Sequence, residues 1–149
     1  MKVVIQRVSE ASVTIDGKVK SSIGKGLLVL LGVAEEDGQD DIDWLVRKTA
    51  NMRIFDDEQG VMNLSVMDVG GDVLVVSQFT LMANCRKGNR PSYIKAARHE
   101  ISIPMYERFC ECMSLQLGKE IGTGEFGAMM DVALVNDGPV TIILDSSER

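Results

Sequence analysis

The chemistry open to this chain is limited first by its single histidine, His99. One imidazole cannot build a multi-histidine metal site, and any serine–histidine–aspartate relay would have to run through it. His99 stands next to Arg98 in a polar stretch with nothing apolar around it to set a tautomer, so it reads as a surface residue. Cys85, Cys110 and Cys112 leave an odd thiol under any pairing and read as reduced cysteines. Two residues of helix turn through about 200°, so Cys110 and Cys112 face opposite sides of a helix and cannot grip one metal. Gly24-Lys25-Gly26 lacks the spacing and the hydroxyl of a phosphate-cradling loop, and no nucleophile elbow is present. No metal and no cofactor is expected.

Charge narrows the partners. The net charge of −6 argues against a general nucleic-acid binder and against a DNA partner. The distribution is uneven, however. Between Asp72 and Glu100 there is no acidic residue, and Arg86, Lys87, Arg90, Lys95 and Arg98 fall inside that stretch.

The elements that must carry these residues can be read from periodicity. Lys2 to Val8 and Ala11 to Ile15 read as two strands joined by a short polar turn, followed by Asp16-Gly17 and a strand from Lys18 to Ile23. Leu27 to Val33 is a continuous apolar run, the pattern of a strand buried on both faces near the centre of a sheet. Asp40 to Ile54 places Ile42, Leu45, Val46, Thr49 and Met52 at helical spacing, with aspartates at the end where the helix dipole favours them. Val73 to Ser77 is a further strand. A second helix is expected to begin near Pro104 and to present Met105, Phe109, Cys112, Met113 and Leu117 before Gly118 ends it. Asp131 to Val135 and Val140 to Leu144 read as strands joined by a turn at Asn136 to Pro139, with a frayed tail from Ser146 to Arg149.

The 149 residues, 45% hydrophobic and 26% charged, fit one globular domain over positions 1–149. The longest apolar stretch, Gly26 to Ala34, is too short to span a bilayer, and the first residues lack a signal-peptide pattern, so a cytoplasmic protein without a membrane partner is expected. The fold class that emerges is mixed α/β: largely antiparallel sheet with two main helices packed over it, layered α/β/β. Residue chemistry alone stops there.

Two segments carry the reading further. Ser77-Gln78-Phe79-Thr80-Leu81 follows a strand, and Asn136-Asp137-Gly138-Pro139-Val140-Thr141 lies between two; both resemble the signature motifs of the D-aminoacyl-tRNA deacylase family. The resemblance extends through Val4-Ile5-Gln6-Arg7-Val8, Ala11-Ser12-Val13-Thr14, Gly26 to Val33, Met62-Asn63-Leu64-Ser65 and Thr123-Gly124-Glu125-Phe126-Gly127-Ala128, nearly the whole chain. It implies hydrolysis of the ester between a D-amino acid and its tRNA by a homodimer. In that arrangement the Gly138-Pro139 pair, joined by a cis bond, enters the partner's active site.

The implied roles follow the motifs. Ser77, Gln78, Phe79 and Thr80 form the catalytic segment. The backbone N–H groups of Phe79 and Thr80 would stabilise the oxyanion, and the substrate's own 2′-hydroxyl would serve as base. The rival role, the Thr80 hydroxyl as nucleophile, needs a base that Ser77 to Leu81 does not contain. The carbonyls of Gly138 and Pro139 would accept from the substrate's α-ammonium and leave no room for an L side chain, so glycyl-tRNA should also be cleaved. Asn136 belongs to this substrate-facing group. Arg7 either holds the Gly-Pro loop or is an exposed strand arginine. Phe126 and Met130 match positions lining the family's adenosine pocket, and Arg86, Lys87 and Arg90 are candidates for contact with tRNA.

Asn84-Cys85 and His99 depart from the family pattern, outside both motifs. Three other readings remain open on sequence: removal of L-alanine from tRNA, an unrelated acyl-ester hydrolase, and binding without catalysis. Some eukaryotic relatives associated with DNA replication carry a C-terminal extension, and with the last strand ending just before Arg149 no such extension is expected here.

Overall fold

The computed structural model describes all residues, Met1–Arg149. Eight strands and two α-helices alternate along the chain: β1 (Lys2–Ile15), β2 (Lys18–Ile23), β3 (Gly26–Gly32), α1 (Gln39–Asn51), β4 (Phe55–Asp56), β5 (Met62–Leu64), β6 (Asp72–Ser77), α2 (His99–Leu117), β7 (Gly122–Thr123) and β8 (Asp131–Asp145). Short 3₁₀ helices follow β6 at Phe79–Met82 and β8 at Ser146–Glu148.

β3 is the organising strand, as its unbroken apolar run predicts. It pairs antiparallel with β1 on one side and parallel with β6 on the other. Strand alternation then sorts its side chains into two cores. Leu27, Val29 and Leu31 join Val73 and Val75 of β6 in the core beneath the helices, which supply Ile42, Leu45, Val46, Phe109 and Met113. Leu28 of β3 and Leu74 and Val76 of β6 point the other way, into a second core with Val8, Ala11, Val13 and Ile23. The result is the expected α/β/β layering, a helix layer and a β layer on opposite faces of a central sheet.

β1 and β8 belong to both layers, and here the sequence expectation is corrected. The turn predicted between Val8 and Ala11 does not exist: residues 2–15 form one strand. It buries Val3 and Ile5 under the helices, then Val8, Ala11 and Val13 in the second core. The switch of face between Ile5 and Val8 coincides with irregular pairing to β8 at Gln6/Val8 and Val8/Glu10. Bulges and bends of this kind let one strand turn a corner between packed sheets.

β8 makes the same change. Asn136 to Pro139 was expected to reverse the chain, but both flanks of that segment pair antiparallel with β1, Asn136 opposite Val8 and Thr141 opposite Gln6. The segment is a protrusion from one continuous strand. Polar turn residues signal a departure from the ladder, and only the pairing partner decides whether the chain returns beside itself.

Other boundaries shift too. α1 ends at Asn51 rather than Ile54, because Met52 is already extended. α2 begins at His99, five residues before Pro104, which sits inside the helix. The tail is not frayed: Ser146 is buried, and its N–H donates to the Met1 carbonyl at 2.9 Å. No helix is long and apolar enough to cross a membrane.

Candidate functional site

β6 delivers the first motif. Its buried run Val73 to Val76 ends at half-buried Ser77, paired across to Leu31. Gln78 N–H donates to the Leu31 carbonyl at 2.7 Å, the last bond before the chain turns into the 3₁₀ helix. That helix makes its first internal bond from Leu81 N–H to the Gln78 carbonyl. The N–H groups of Phe79 and Thr80 therefore have no acceptor within the helix, the condition of every helix start. The helix is held close to β3 because Gly32 has no side chain: a Cβ there would stand 3.0 Å from that of Leu81.

Side chains around the motif are already engaged. The Thr80 hydroxyl accepts from the Gln78 side-chain amide. That partner is a donor and cannot remove a proton. Phe79 is largely exposed and packs edge-on against Tyr93, ring centroids 5.0 Å apart. Tyr93 returns to this position because Asn84 and Ser92 exchange two backbone hydrogen bonds, closing the basic segment into a loop. Arg86, Lys87 and Arg90 lie exposed on that loop.

The protrusion of β8 is built around Arg7, which is buried rather than strand-exposed. Its Nε donates to the Asp137 carbonyl at 2.9 Å and its Nη1 to the Ile54 carbonyl at 2.8 Å. The carboxylates of Asp137 and Asp56 stand 3.4 and 3.5 Å from the guanidinium. A fork of fixed geometry thus ties the protrusion to the chain leaving α1. Asn136 closes the neck: its side-chain amide donates to the carbonyls of Arg7 and Val140, both at 3.0 Å. The Asn136 amide is taken up by its own chain, which makes it a brace for the protrusion. At the tip, Gly138 and Pro139 are exposed and joined by a cis bond, with Gly138 at φ +139°.

Phe126 and Met130 flank β6 from opposite faces, Phe126 against the core beneath the helices and Met130 against the second core. Phe126 is half-buried, tilted against Tyr106 with centroids 6.0 Å apart and edge-on to His99 at 5.6 Å. The Tyr106 hydroxyl donates to the Val75 carbonyl, which also accepts from Gly124 N–H. Burial raises the phenol's pKa and pushes the neighbouring Cys110 thiol up to about 12, so both keep their protons. Met130 lies against Gly124, where an added Cβ would come within 2.6 Å of its sulfur. Tyr106 and Tyr93 were not singled out from sequence. The spacing Tyr106, Phe109, Met113 carried a signal for the former, whereas Tyr93 reaches Phe79 only through the loop closure.

One chain does not bring the two motifs together. Arg7 pairs with Leu27, whereas Ser77 pairs with Leu31, four residues further along β3. The protrusion lies on β8 and the first motif on β6, separated by β1 and β3. Strand rise and strand spacing set them roughly 20 Å apart.

Known proteins match this chain along its whole length. The sequence profile of a family described as D-Tyr-tRNA(Tyr) deacylase matches residues 4–145. A protein of Bacteroides thetaiotaomicron named D-aminoacyl-tRNA deacylase is 65% identical over 149 residues, covering 100% of this chain and 99% of the relative. One of the same name from Parabacteroides distasonis is 62% identical over equal coverage. Among solved structures, one described as "c-Myc DNA Unwinding Element Binding Protein" superposes with a TM-score of 0.93 at 45% identity, covering 97% of this chain and 98% of that one. A second, described as a probable eukaryotic D-amino acid tRNA deacylase, has a TM-score of 0.84 at 16% identity, covering 96% and 97%. At that identity it bears on the fold alone.

Proposed function

The chain belongs to the D-Tyr-tRNA(Tyr) deacylase family, and on that premise we propose that it hydrolyses the ester of D-aminoacyl-tRNA in the cytosol, proofreading the chirality of amino acids entering translation. The observation that carries the reading is the start of the 3₁₀ helix, where two backbone N–H groups emerge side by side without an internal acceptor. An aminoacyl ester is already activated, so the enzyme must chiefly position water and stabilise charge on the carbonyl oxygen. Water attacks the carbonyl carbon as its proton passes to the ribose 2′-hydroxyl, the oxyanion accepts from the N–H groups of Phe79 and Thr80, and the carbon–oxygen bond to the ribose then breaks as the departing oxygen takes the proton that the 2′-hydroxyl gives up. One such donor is worth about 10² to 10³ in rate. The 2′-hydroxyl is the base. Engagement of the Thr80 hydroxyl by the Gln78 amide supports a backbone role for Thr80 over a nucleophilic one.

Chiral selection falls to Gly138 and Pro139 of a second copy in a homodimer. Support comes from the separation of the motifs within one chain and from the brace of Arg7 and Asn136, which presents the exposed tip outward. The carbonyls at the tip accept from the α-ammonium, and an L side chain finds no space. Phe126 and Met130 receive the terminal adenosine.

The deciding experiment compares hydrolysis of matched D- and L-aminoacyl-tRNA by the purified protein. Cleavage of the D ester with the L ester untouched is expected; equal cleavage refutes the chiral role. Glycyl-tRNA, with no side chain to exclude, should be cleaved at a rate similar to D-alanyl-tRNA. A glycyl ester as resistant as the L-alanyl one would mean that the pocket recognises a D side chain positively. Duplex DNA in excess is expected not to compete.

A further inference from the structure

Resting on the deacylase reading, we propose that the cleft opening one residue beyond Thr80 is a subsite for the phosphodiester backbone of the RNA strand bearing the ester, held by Arg86 and Lys95. The cleft has a volume of about 880 Å³, and one wall is the direct continuation of the first motif, Leu81 to Arg86. A strand whose ester lies at Phe79 and Thr80 therefore has an adjoining trough to run into.

The charges of this trough sort by their partners. Of its carboxylates, Asp37 pairs with the Met1 amino group, Asp41 with Arg149 and Asp145 with Lys2. Arg86 and Lys95 take part in no ion pair. Among the lining side-chain carboxylates, Glu36 alone has no cationic partner. Arg86 and Lys95 are thus the two lining cations left without an ion-pair partner, on a protein of net charge −6. Long-range attraction toward RNA is thus weak, and discrimination must come from cations placed in contact with phosphate. Leu81, Met82 and Ala83 supply an apolar flank for ribose and base. Lys87 and Arg90 do not line the cleft. The sequence grouped them with Arg86 as tRNA contacts, and the geometry separates them.

The test compares two substrates that share an ester but not a phosphate, D-aminoacyl-tRNA and D-aminoacyl-adenosine. For the double variant Arg86→Ala, Lys95→Ala, kcat/KM on the tRNA should fall about tenfold at low salt, and its dependence on log salt should flatten by about 0.7 per cation lost. Hydrolysis of the adenosine ester should stay at the wild-type rate. Arg86→Lys should retain most activity on tRNA, and the pair Lys87→Ala, Arg90→Ala should lose little. An equal loss on both substrates, no loss on either, or an altered oligomeric state on size exclusion would each overturn the subsite. Failure of the deacylase reading is distinguishable, since the wild-type protein would then cleave neither D ester.

Discussion

Thr80 offers two groups to a substrate, a hydroxyl and a backbone N–H, and they can be separated by one substitution. Thr80→Ala removes the hydroxyl and its bond from Gln78 while leaving the N–H at the start of the 3₁₀ helix. Activity on D-aminoacyl-tRNA is expected to stay within about tenfold of wild type, because loss of oxyanion stabilisation would cost far more. Single-turnover hydrolysis by the folded variant measures it; a fall to the uncatalysed rate would restore the nucleophile. Gly138 makes a different demand. A Cβ there would lie 2.8 Å from Val140 Cγ2 and 3.2 Å from Arg7 Nη2, at a φ of +139° that L residues rarely adopt. Gly138→Ala should therefore displace the tip and reduce hydrolysis of the D ester at least about a hundredfold, with little change in thermal stability, since the tip is exposed.

At the scale of elements, β3 and β6 form the platform for the first motif, and their parallel pairing begins at Gly26 opposite Asp72. The contact is too close for a side chain. A Cβ on Gly26 would fall 1.9 Å from the Asp72 carbonyl oxygen, a backbone atom that cannot swing aside. Gly26→Ala should force the two strands apart and cost about 3 kcal/mol or more of stability, in the range of severe core disruptions. Denaturant unfolding checks this. A loss below about 1 kcal/mol would mean that the start of β6 slides freely and does not set the motif. The alanine at the open Gly24, where nothing lies within 4 Å, is the natural control.

The whole molecule closes its two ends on each other, and this gives it a pH limit. The Met1 amino group donates to Ser146 Oγ at 2.9 Å, and Arg149 pairs with Asp41 at the start of α1. Burial alone would raise the Asp41 pKa, but hydrogen bonds from Ser146, the Gly38 N–H and Arg149 outweigh it and hold the carboxyl at about 2, against an ordinary 3.8. Asp145 is lowered as well, its partial burial outweighed by hydrogen bonds from Ser147. A carboxylate whose folded pKa is depressed contributes fully above its unfolded value, and the contribution is lost as pH falls through the folded one. Stability should therefore hold at about pH 5 and decline between about pH 4 and pH 2, less steeply in Asp41→Asn. Thermal melts across that range test it, and equal slopes for the two proteins would refute it. A second whole-molecule prediction follows from the roughly 20 Å between the motifs. A bulky substitution at Thr80 and Gly138→Ala should each inactivate, yet mixed and reassociated chains should recover about a quarter of wild-type activity, because each mixed dimer holds one intact site. No recovery would mean that both motifs act within one chain.

Much of this protein was legible from residues in a row. The run Leu27 to Val33 announced a central strand because a segment buried on both faces has no polar phase, and the spacing of Ile42, Leu45, Val46 and Thr49 announced α1. The two motifs pointed to the family through the identity of their residues. What sequence could not supply was any quantity that depends on a distant partner. Asn136 to Pro139 has the composition of a hairpin turn, and it became a protrusion only because both of its flanks pair with β1. Arg7 could be an exposed strand residue or a buried clamp until the carbonyls of Ile54 and Asp137 closed around it. Tertiary structure likewise separated Arg86 and Lys95 from Lys87 and Arg90, although all four sit in one basic stretch. Local composition determines what a segment can do, and contacts across tens of residues select which of those possibilities is realised, because a hydrogen bond or an ion pair exists only where the fold brings both members together.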